Sequence, residues 1–311
     1  MSSTFIIRSM QPEDRQAVAA LICLSTSVWY EVHFGIRRFT GGPQTTELYY
    51  DVYHALPGSY GIVAVDNYSG TVIGSCFVHI RPTHVSLGIM NVHPSYGGRG
   101  IGSALLKNII STAEDLGKPL HLVSSAMNLD SFSLYNRQGF VPYCIYQDMR
   151  FQVPAEGYQV QLPASRRVRK AELSDLPAIV ELERQLTGLE RPDDYRHFIN
   201  NPEGIWSLSV CESADGNALD GVLGSVYHPA TNMIGPGCAR DSDAAAALLL
   251  AELNQHPGRG PVLLLPCSSL ELRNFAYSLG GKNIEVHVAQ SRGELPTLRG
   301  LTFPTFLPET L

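Results

Sequence analysis

Two stretches of this 311-residue chain repeat one another at a constant spacing. Ile7-Arg8, Asp14, Ala17-Val18 and Leu21 return as Val168-Arg169, Asp175, Ala178-Ile179 and Leu182. Each copy reads as a short β run followed by a helix. Pro12, Glu13 and Asp14 suit a first helical turn, and Ser174 is placed as an N-cap ahead of Asp175. A second echo sets Val72-Ile73-Gly74-Ser75 against Val222-Leu223-Gly224-Ser225, each after a turn sequence, Asn67-Tyr68-Ser69-Gly70 and Asp215-Gly216-Asn217. The pattern predicts one α/β unit present twice. The length agrees, because single hydrophobic cores stop growing beyond about 250–300 residues. Val153-Pro154-Ala155-Glu156-Gly157, continuing to Leu162-Pro163-Ala164-Ser165, has the texture of a linker. The expected division is therefore 1–153 and 166–311, joined by 154–165.

Within the first copy the pattern predicts a strand at Phe5–Arg8, a helix at about Pro12–Leu24 and a second helix near Thr45–Ala55. Strands follow at Gly61–Asp66, Thr71–Ile80 and Val85–Val92. After a glycine-rich turn come a helix (Gly102–Leu116), a strand (Leu120–Ser124), a short helix (Leu129–Arg137) and closing strands from Val141 to Phe151. That order gives an α/β fold with a mixed, mostly antiparallel sheet flanked by helices.

Composition removes several functions. A formal charge of −6 lacks the Lys/Arg surplus that displaces counterions from nucleic-acid phosphates. The six cysteines are scattered, without the C-x-x-C spacing of a zinc site, so a reduced, metal-free cytoplasmic protein is expected. The longest apolar run, Ala244 to Ala251, is short of the roughly 20 residues that span a bilayer and reads as a buried helix. The N-terminus passes directly into Phe5-Ile6-Ile7-Arg8 and shows no signal peptide.

The chemistry concentrates in Leu87-Gly88-Ile89-Met90-Asn91-Val92-His93-Pro94-Ser95-Tyr96-Gly97-Gly98-Arg99-Gly100-Ile101-Gly102-Ser103. A strand meets a turn with several glycines, and a helix starts at once. Glycines let the main chain approach a ligand, and the unpaired N–H groups of the first helical turn attract anionic oxygen. A pyrophosphate fits such a place. A P-loop would need Lys and Ser/Thr after its last glycine, where Ser103-Ala104 stand. The dinucleotide fingerprint fails as well, because Gly98, Gly100 and Gly102 alternate and Leu105 occupies its third glycine position.

The stretch resembles the coenzyme A loop of the GNAT superfamily of N-acetyltransferases, Arg/Gln-x-x-Gly-x-Gly/Ala after a Val-x-Pro strand end. Val92-His93-Pro94 and Gly100-Ile101-Gly102 match; Gly97 departs from the Arg/Gln position, and Arg99 offers a substitute charge. Asn128 and Tyr135 before Gly139-Phe140 match a second family feature, and the resemblance covers about residues 4–150. It implies two tandem GNAT folds and acetyl transfer from acetyl-CoA to an amine of a small molecule or peptide, by direct attack in a ternary complex. The implied binding set is Asn91, Val92, Gly97, Gly98, Arg99, Gly100, Ile101, Gly102, Ser103, Asn128 and Tyr135. The main chain around Met90-Asn91-Val92 would pair with the pantetheine arm, and Tyr135 would give its phenolic proton to the departing thiolate.

The family's frequent base, a Glu on its fourth strand, is missing, since Val85–Val92 contains no carboxylate. His84 and His79 are the candidates, beside a water relay. Trp29-Tyr30-Glu31-Val32-His33-Phe34 occupies the acceptor-side wall in the resemblance, and helix-end packing of aromatics explains it equally. In the second copy the corresponding region is Gly235-Pro236-Gly237 followed by Asp241 and Asp243, which work against phosphate. That copy is expected to bind no coenzyme A and to complete the acceptor pocket or cover an open sheet edge. No nucleic acid, membrane or metal is expected as a partner, and a homodimer is allowed. The alternative function is a non-catalytic acyl-CoA-binding regulator on the same fold.

Overall fold

The computed structural model describes residues 4–160 and 166–309. Residues 1–3, the linker positions 161–165 and residues 310–311 lie outside the described residues. The chain divides into two compact units, one reaching to Leu120 and including Phe306–Glu309, the other running from His121 to Thr305.

In the first unit, strand β1 (Phe5–Ser9) leads through a 3-10 turn at Pro12–Asp14 into helices α1 (Arg15–Phe34) and α2 (Pro43–Ala55). Strands β2 (Ser59–Asp66), β3 (Val72–Ile80) and β4 (Val85–Val92) precede a 3-10 turn at Pro94–Tyr96 and helix α3 (Ile101–Asp115). The strand order is β1-β2-β3-β4, antiparallel at every pairing. Helix α1 packs on β3 and β4, α2 on β2, and α3 on β2, β3 and β4. Gly74 lets α3 settle on the sheet, for a Cβ there would stand 2.7 Å from Ile101 Cγ2. The stretch Pro12–Phe34 is long and apolar enough to cross a membrane; in this fold its residues Val18, Leu21 and Ile22 are buried.

The second unit holds β5 (Leu120–Ser125), α4 (Leu129–Arg137), β6 (Val141–Arg150), β7 (Arg167–Lys170), α5 (Leu176–Thr187), α6 (Pro192–Asn200), β8 (Trp206–Glu212) and β9 (Leu219–His228). It continues with β10 (Thr231–Ala239), α7 (Ser242–Leu253), β11 (Val262–Pro266), α8 (Leu270–Ser278), β12 (Lys282–Arg292) and β13 (Leu301–Phe303). Its sheet runs β5-β12-β6-β11-β10-β9-β8-β7, with β13 on β10. The sheet is mixed: β10 and β11 are parallel, while β6 is antiparallel to both β11 and β12. Leu248, Leu249 and Leu253 of α7 form the core with Leu263, Leu265 and Phe303. Helix α7 is buried on nearly every side, as an unbroken Ala/Leu run requires.

The two sequence copies exchange strands. β12 inserts between β5 and β6, and β6 inserts between β12 and β11. Spatial division thus falls at Leu120/His121 and differs from the 1–153 and 166–311 division of the sequence. The described part of the linker is docked: Val153 N–H donates to Arg259 O at 2.9 Å, and Tyr158 Oη to Leu279 O at 2.8 Å.

The repeated opening has a physical identity. Arg8 forms a forked pair with Asp14 at 2.6 and 2.8 Å, and the Asp14 carboxylate accepts the Gln11 N–H at 2.8 Å. Arg169, Asp175 and Glu172 repeat it at 2.7, 2.8 and 2.8 Å. Ser174 is no N-cap; it lies inside a 3-10 turn (Leu173–Asp175), because Asp175 reaches back to the Glu172 N–H and does the capping. The Val-Ile-Gly-Ser echo is not equivalent in space: Gly74 faces α3, whereas Gly221, not Gly224, meets Leu248 of α7. Helix α1 runs ten residues beyond its expected end at Leu24, until Gly35 closes it with φ 66°.

Candidate active site

Strand β4 passes from buried to half-buried at its middle. Its register with β3 slips there: Val78 faces Leu87 and Cys76 faces Met90, so Phe77 stands opposite both Gly88 and Ile89. This is a β-bulge, which turns main-chain groups out of the ladder. Beyond it, Asn91 pairs with Ser75 and Val92 with Gly74. His93 Nδ1 accepts the Ser95 N–H at 3.2 Å and starts the turn.

Gly97, Gly98, Arg99 and Gly100 are exposed, and Arg99 stacks its guanidinium 4.7 Å from the Tyr96 ring centre. Gly98 and Gly100 have φ of 74° and 81°, a region that other residues enter at a cost of about 1 kcal/mol or more. Nothing lies within 4 Å of where a Cβ would be at either position, so the space over the turn is open. Gly100 is the N-cap of α3 and supplies no side-chain cap. Ala104 N–H bonds back to Gly100 O at 3.0 Å, so the N–H groups of Ile101, Gly102 and Ser103 precede the first helical bond. A bare helix start under exposed glycines suits a pyrophosphate.

In the second unit, Asn128 is the N-cap of α4, its Oδ1 accepting the Ser131 N–H at 3.1 Å. Tyr135, two turns along, is buried and meets Phe140 edge-on at 5.8 Å. Asn91, Val92 and Gly97 to Ser103 thus come together in the first unit, and Asn128 and Tyr135 stand in the second.

His84 precedes β4 and is buried, with Nδ1 3.0 Å from Thr83 Oγ1. His79, near the end of β3, is buried with Nδ1 2.9 Å from Ser59 Oγ and Nε2 3.4 Å from Glu309 Oε2. Burial, with Arg81 adding to it, holds His79 well below the usual imidazole range, so its ring is neutral. Tyr53 Oη stands 2.6 Å from Glu309 Oε2 and 2.9 Å from Phe306 O. Burial pushes the Glu309 carboxyl up to about 8, against the opposing pull of the Tyr53 hydroxyl and the Ile89 main-chain N–H. Tyr53 and Glu309 were not among the residues singled out by sequence. They lie more than 250 positions apart, and no local pattern joins them.

The aromatic segment Trp29 to Phe34 belongs to the last turns of α1. Trp29 stacks on His33 at 4.6 Å, Tyr30 meets Phe34 at 5.7 Å, and Arg38 covers Tyr30 at 4.3 Å. In the second unit, Gly235-Pro236-Gly237 is not a decayed phosphate loop. It lies within β10 at an irregularity between Ile234 and Gly237, where a Cβ on Gly237 would stand 2.2 Å from Val222 O. Only Arg240 and Asp241 join β10 to α7, and Asp241 Oδ1 accepts the Ala244 N–H at 2.8 Å. Arg166 ties Asp241 down at 2.6 Å. Asp148, Glu285 and His287 are buried and hold their ligand atoms within 4.8 Å of one another. His287 Nδ1 is 2.8 Å from Asp148 Oδ1, which accounts for that part of the cluster as an internal hydrogen bond.

The family model for the GNAT acetyltransferases matches residues 29–140, from the end of α1 to the strand that follows α4. No protein with a curated description matches the sequence. Among solved structures, a candidate acetyltransferase from Pyrococcus horikoshii superposes with a TM-score of 0.75 at 13% identity, covering 100% of this chain and 97% of the other. A GCN5-related N-acetyltransferase from Sphaerobacter thermophilus gives 0.65 at 17%, covering 94% and 96%. A tandem GNAT protein from the clavulanic acid biosynthesis pathway gives 0.59 at 14%, covering 92% and 98%. The bulged strand, glycine turn and bare helix start lie inside the matched segment, and the chain carries a domain of the GNAT acetyltransferase family.

Proposed function

We propose that this chain is an acetyl-CoA-dependent N-acetyltransferase acting on an amine of a small molecule or peptide, by direct attack in a ternary complex. The observation that carries the reading is the junction of bulged β4, exposed turn and uncapped α3. Ile101, Gly102 and Ser103 offer N–H groups and the helix dipole to the pyrophosphate, Gly97, Gly98 and Gly100 give the main chain access, and Arg99 adds charge. Asn91 and Val92 present β4 to the pantetheine arm, Asn128 helps hold that arm, and Tyr135 protonates the departing thiolate. An ammonium has no lone pair and an ordinary pKa near 10, so a base must act first. His84 is the histidine expected there; the contacts of His79 with a carboxylate favour the latter's surroundings as the proton route.

On this reading the sequence halves 1–153 and 166–311 are two copies of one fold, of which only the first takes coenzyme A. The second copy holds β5 and β6 together through β12. Six free cysteines suit a cytoplasmic location. The test is thiol release from acetyl-CoA with a panel of amines: a diamine, an amino sugar, an amino-acid amide and a peptide with a free N-terminus. Release with any of them supports the transferase. Binding of acetyl-CoA with no release from any would favour a non-catalytic acyl-CoA-binding protein.

A further inference from the structure

The bulge of β4 has a carboxylate beside it, although β4 itself carries none. Phe306–Glu309 belongs to the first unit and is fixed to α2 by Tyr53, whose Oη is 2.9 Å from Phe306 O and 2.6 Å from Glu309 Oε2. His79 Nε2 approaches the same oxygen at 3.4 Å. Gly88, in the bulge, makes room for this, since a Cβ there would lie 2.8 Å from His79 Nε2. Ser59 Oγ accepts Arg81 N–H bonds at 3.3 Å and is suited to give its own hydrogen to His79 Nδ1. Nε2 then carries the ring's hydrogen and, 3.4 Å from Glu309 Oε2, makes no hydrogen bond of ordinary geometry.

Two details suit a group that gains and loses a proton. When Glu309 is ionised, Tyr53 donates to it; when Glu309 is protonated, its Oε2–H donates to Tyr53 Oη, and Tyr53 donates to Phe306 O. Both states keep the Tyr53–Glu309 hydrogen bond without movement, and the protonated state adds the one to Phe306 O. In addition, Oε1 of Glu309 makes no hydrogen bond of ordinary geometry, although the residue is only 6% exposed and the Ile89 N–H of the bulge is near enough to pull on the carboxyl. Leaving a buried polar atom unpaired costs about 1–3 kcal/mol, and a proton or an ammonium group on Oε1 would relieve it.

We propose that Glu309 is the general base of the acetyl transfer, taking the acceptor's ammonium proton on its buried, unpaired Oε1 beside the β4 bulge. The inference rests on the transferase reading above. The ammonium N–H bond breaks and a Glu309 O–H bond forms, leaving a neutral amine. The amine's lone pair forms the C–N bond at the thioester carbon, and the C–S bond breaks. The thiolate takes the phenolic proton of Tyr135, the nitrogen's second proton passes through water to restore that phenol, and Glu309 returns its proton to solvent. The groups facing Glu309 are Tyr53 and Tyr49 of α2 and Cys76 and His79 of β3, all uncharged near neutrality, with Arg81 acting on His79. Glu309, raised to about 8 by burial, works only when ionised.

The test uses the full chain, acetyl-CoA, the amine panel and, as a second acceptor, water alone. The wild-type kcat/KM should rise through a limb near pH 8. Glu309→Gln, close in shape to the protonated acid, should keep the melting temperature and acetyl-CoA affinity. It should lower thiol release by about 10²–10⁴-fold and abolish the limb. Tyr53→Phe removes a hydrogen bond that favours the charged form, so its limb should move to higher pH. Unchanged release or an unchanged limb in Glu309→Gln overturns the assignment while leaving the transferase reading intact. Acetyl-CoA bound with no thiol release to any amine or to water also overturns it, and failure of the wild type to bind acetyl-CoA overturns both.

Discussion

Asp241 accepts the Ala244 N–H at the start of α7, and by that bond it fills the position that Gly100 leaves empty at the start of α3. The start of α7 thus shows what a self-capped version of the α3 start looks like. Gly100→Asp should import the same cap and place a negative charge where the pyrophosphate is proposed to bind. Asp tolerates positive φ better than most residues, so the fold should survive at a cost of about 1 kcal/mol. Acetyl-CoA should raise the melting temperature of the wild type and leave that of the variant unchanged. A rise that persists would place the ligand elsewhere.

Tyr135 is buried against Phe140, so its ring packs whatever its hydroxyl does. Tyr135→Phe keeps the ring and should lower kcat by about 10²–10⁴-fold, the usual worth of a positioned acid, with acetyl-CoA affinity unchanged. Steady-state kinetics beside calorimetric titration separates the two roles. An unaltered kcat would leave Tyr135 as packing alone.

Because β12 lies between β5 and β6, a fragment ending near Val153 would lose the strand that joins them and expose unpaired ladder groups on both. It would also lack Glu309. Such a fragment should aggregate or elute as oligomers in size-exclusion chromatography. A monomeric, fully active fragment would contradict both the strand exchange and the assigned base.

Asp14 is held below its ordinary range first by the hydrogen bond from Arg8, helped by the Gln11 N–H. A depressed folded-state value means stability that is present above the unfolded value near 3.8 and lost as pH falls through the lower, folded one. Asp14→Asn should therefore lower stability at pH 7 by about 1 kcal/mol, Arg8 being partly exposed, and should flatten the acid limb. Denaturant titrations between pH 2 and 7 measure both effects.

The elements near the glycine turn were legible because local signals agree there. Val85–Val92 and Leu129–Arg137 fall where expected, and the turn glycines mark the helix start. The repeated Arg8–Asp14 opening was legible because one side-chain pair preserves its spacing. Helix α1 was cut short because large aromatics at Trp29 to Phe34 read as a connector, whereas they stack along a continuous helix. Gly235-Pro236-Gly237 misled because glycines serve turns and close strand contacts alike. The strand exchange and the Tyr53–Glu309 contact could not be read, since both depend on residues far apart in the chain.

The strand exchange also sets a schedule for biosynthesis. β5 is complete at Ser125, yet β12, its neighbour in the sheet, begins only at Lys282. At about 5–20 residues per second, a ribosome needs on the order of 10–30 s to cover that distance. From Arg150 onward both β5 and β6 have been made, without the strand that belongs between them. The first sequence copy cannot finish its own sheet when its own translation ends. Its maturation is tied to the last part of the message, so a ribosome that stalls before residue 282 leaves a nascent chain with open strand edges, a natural substrate for chaperones.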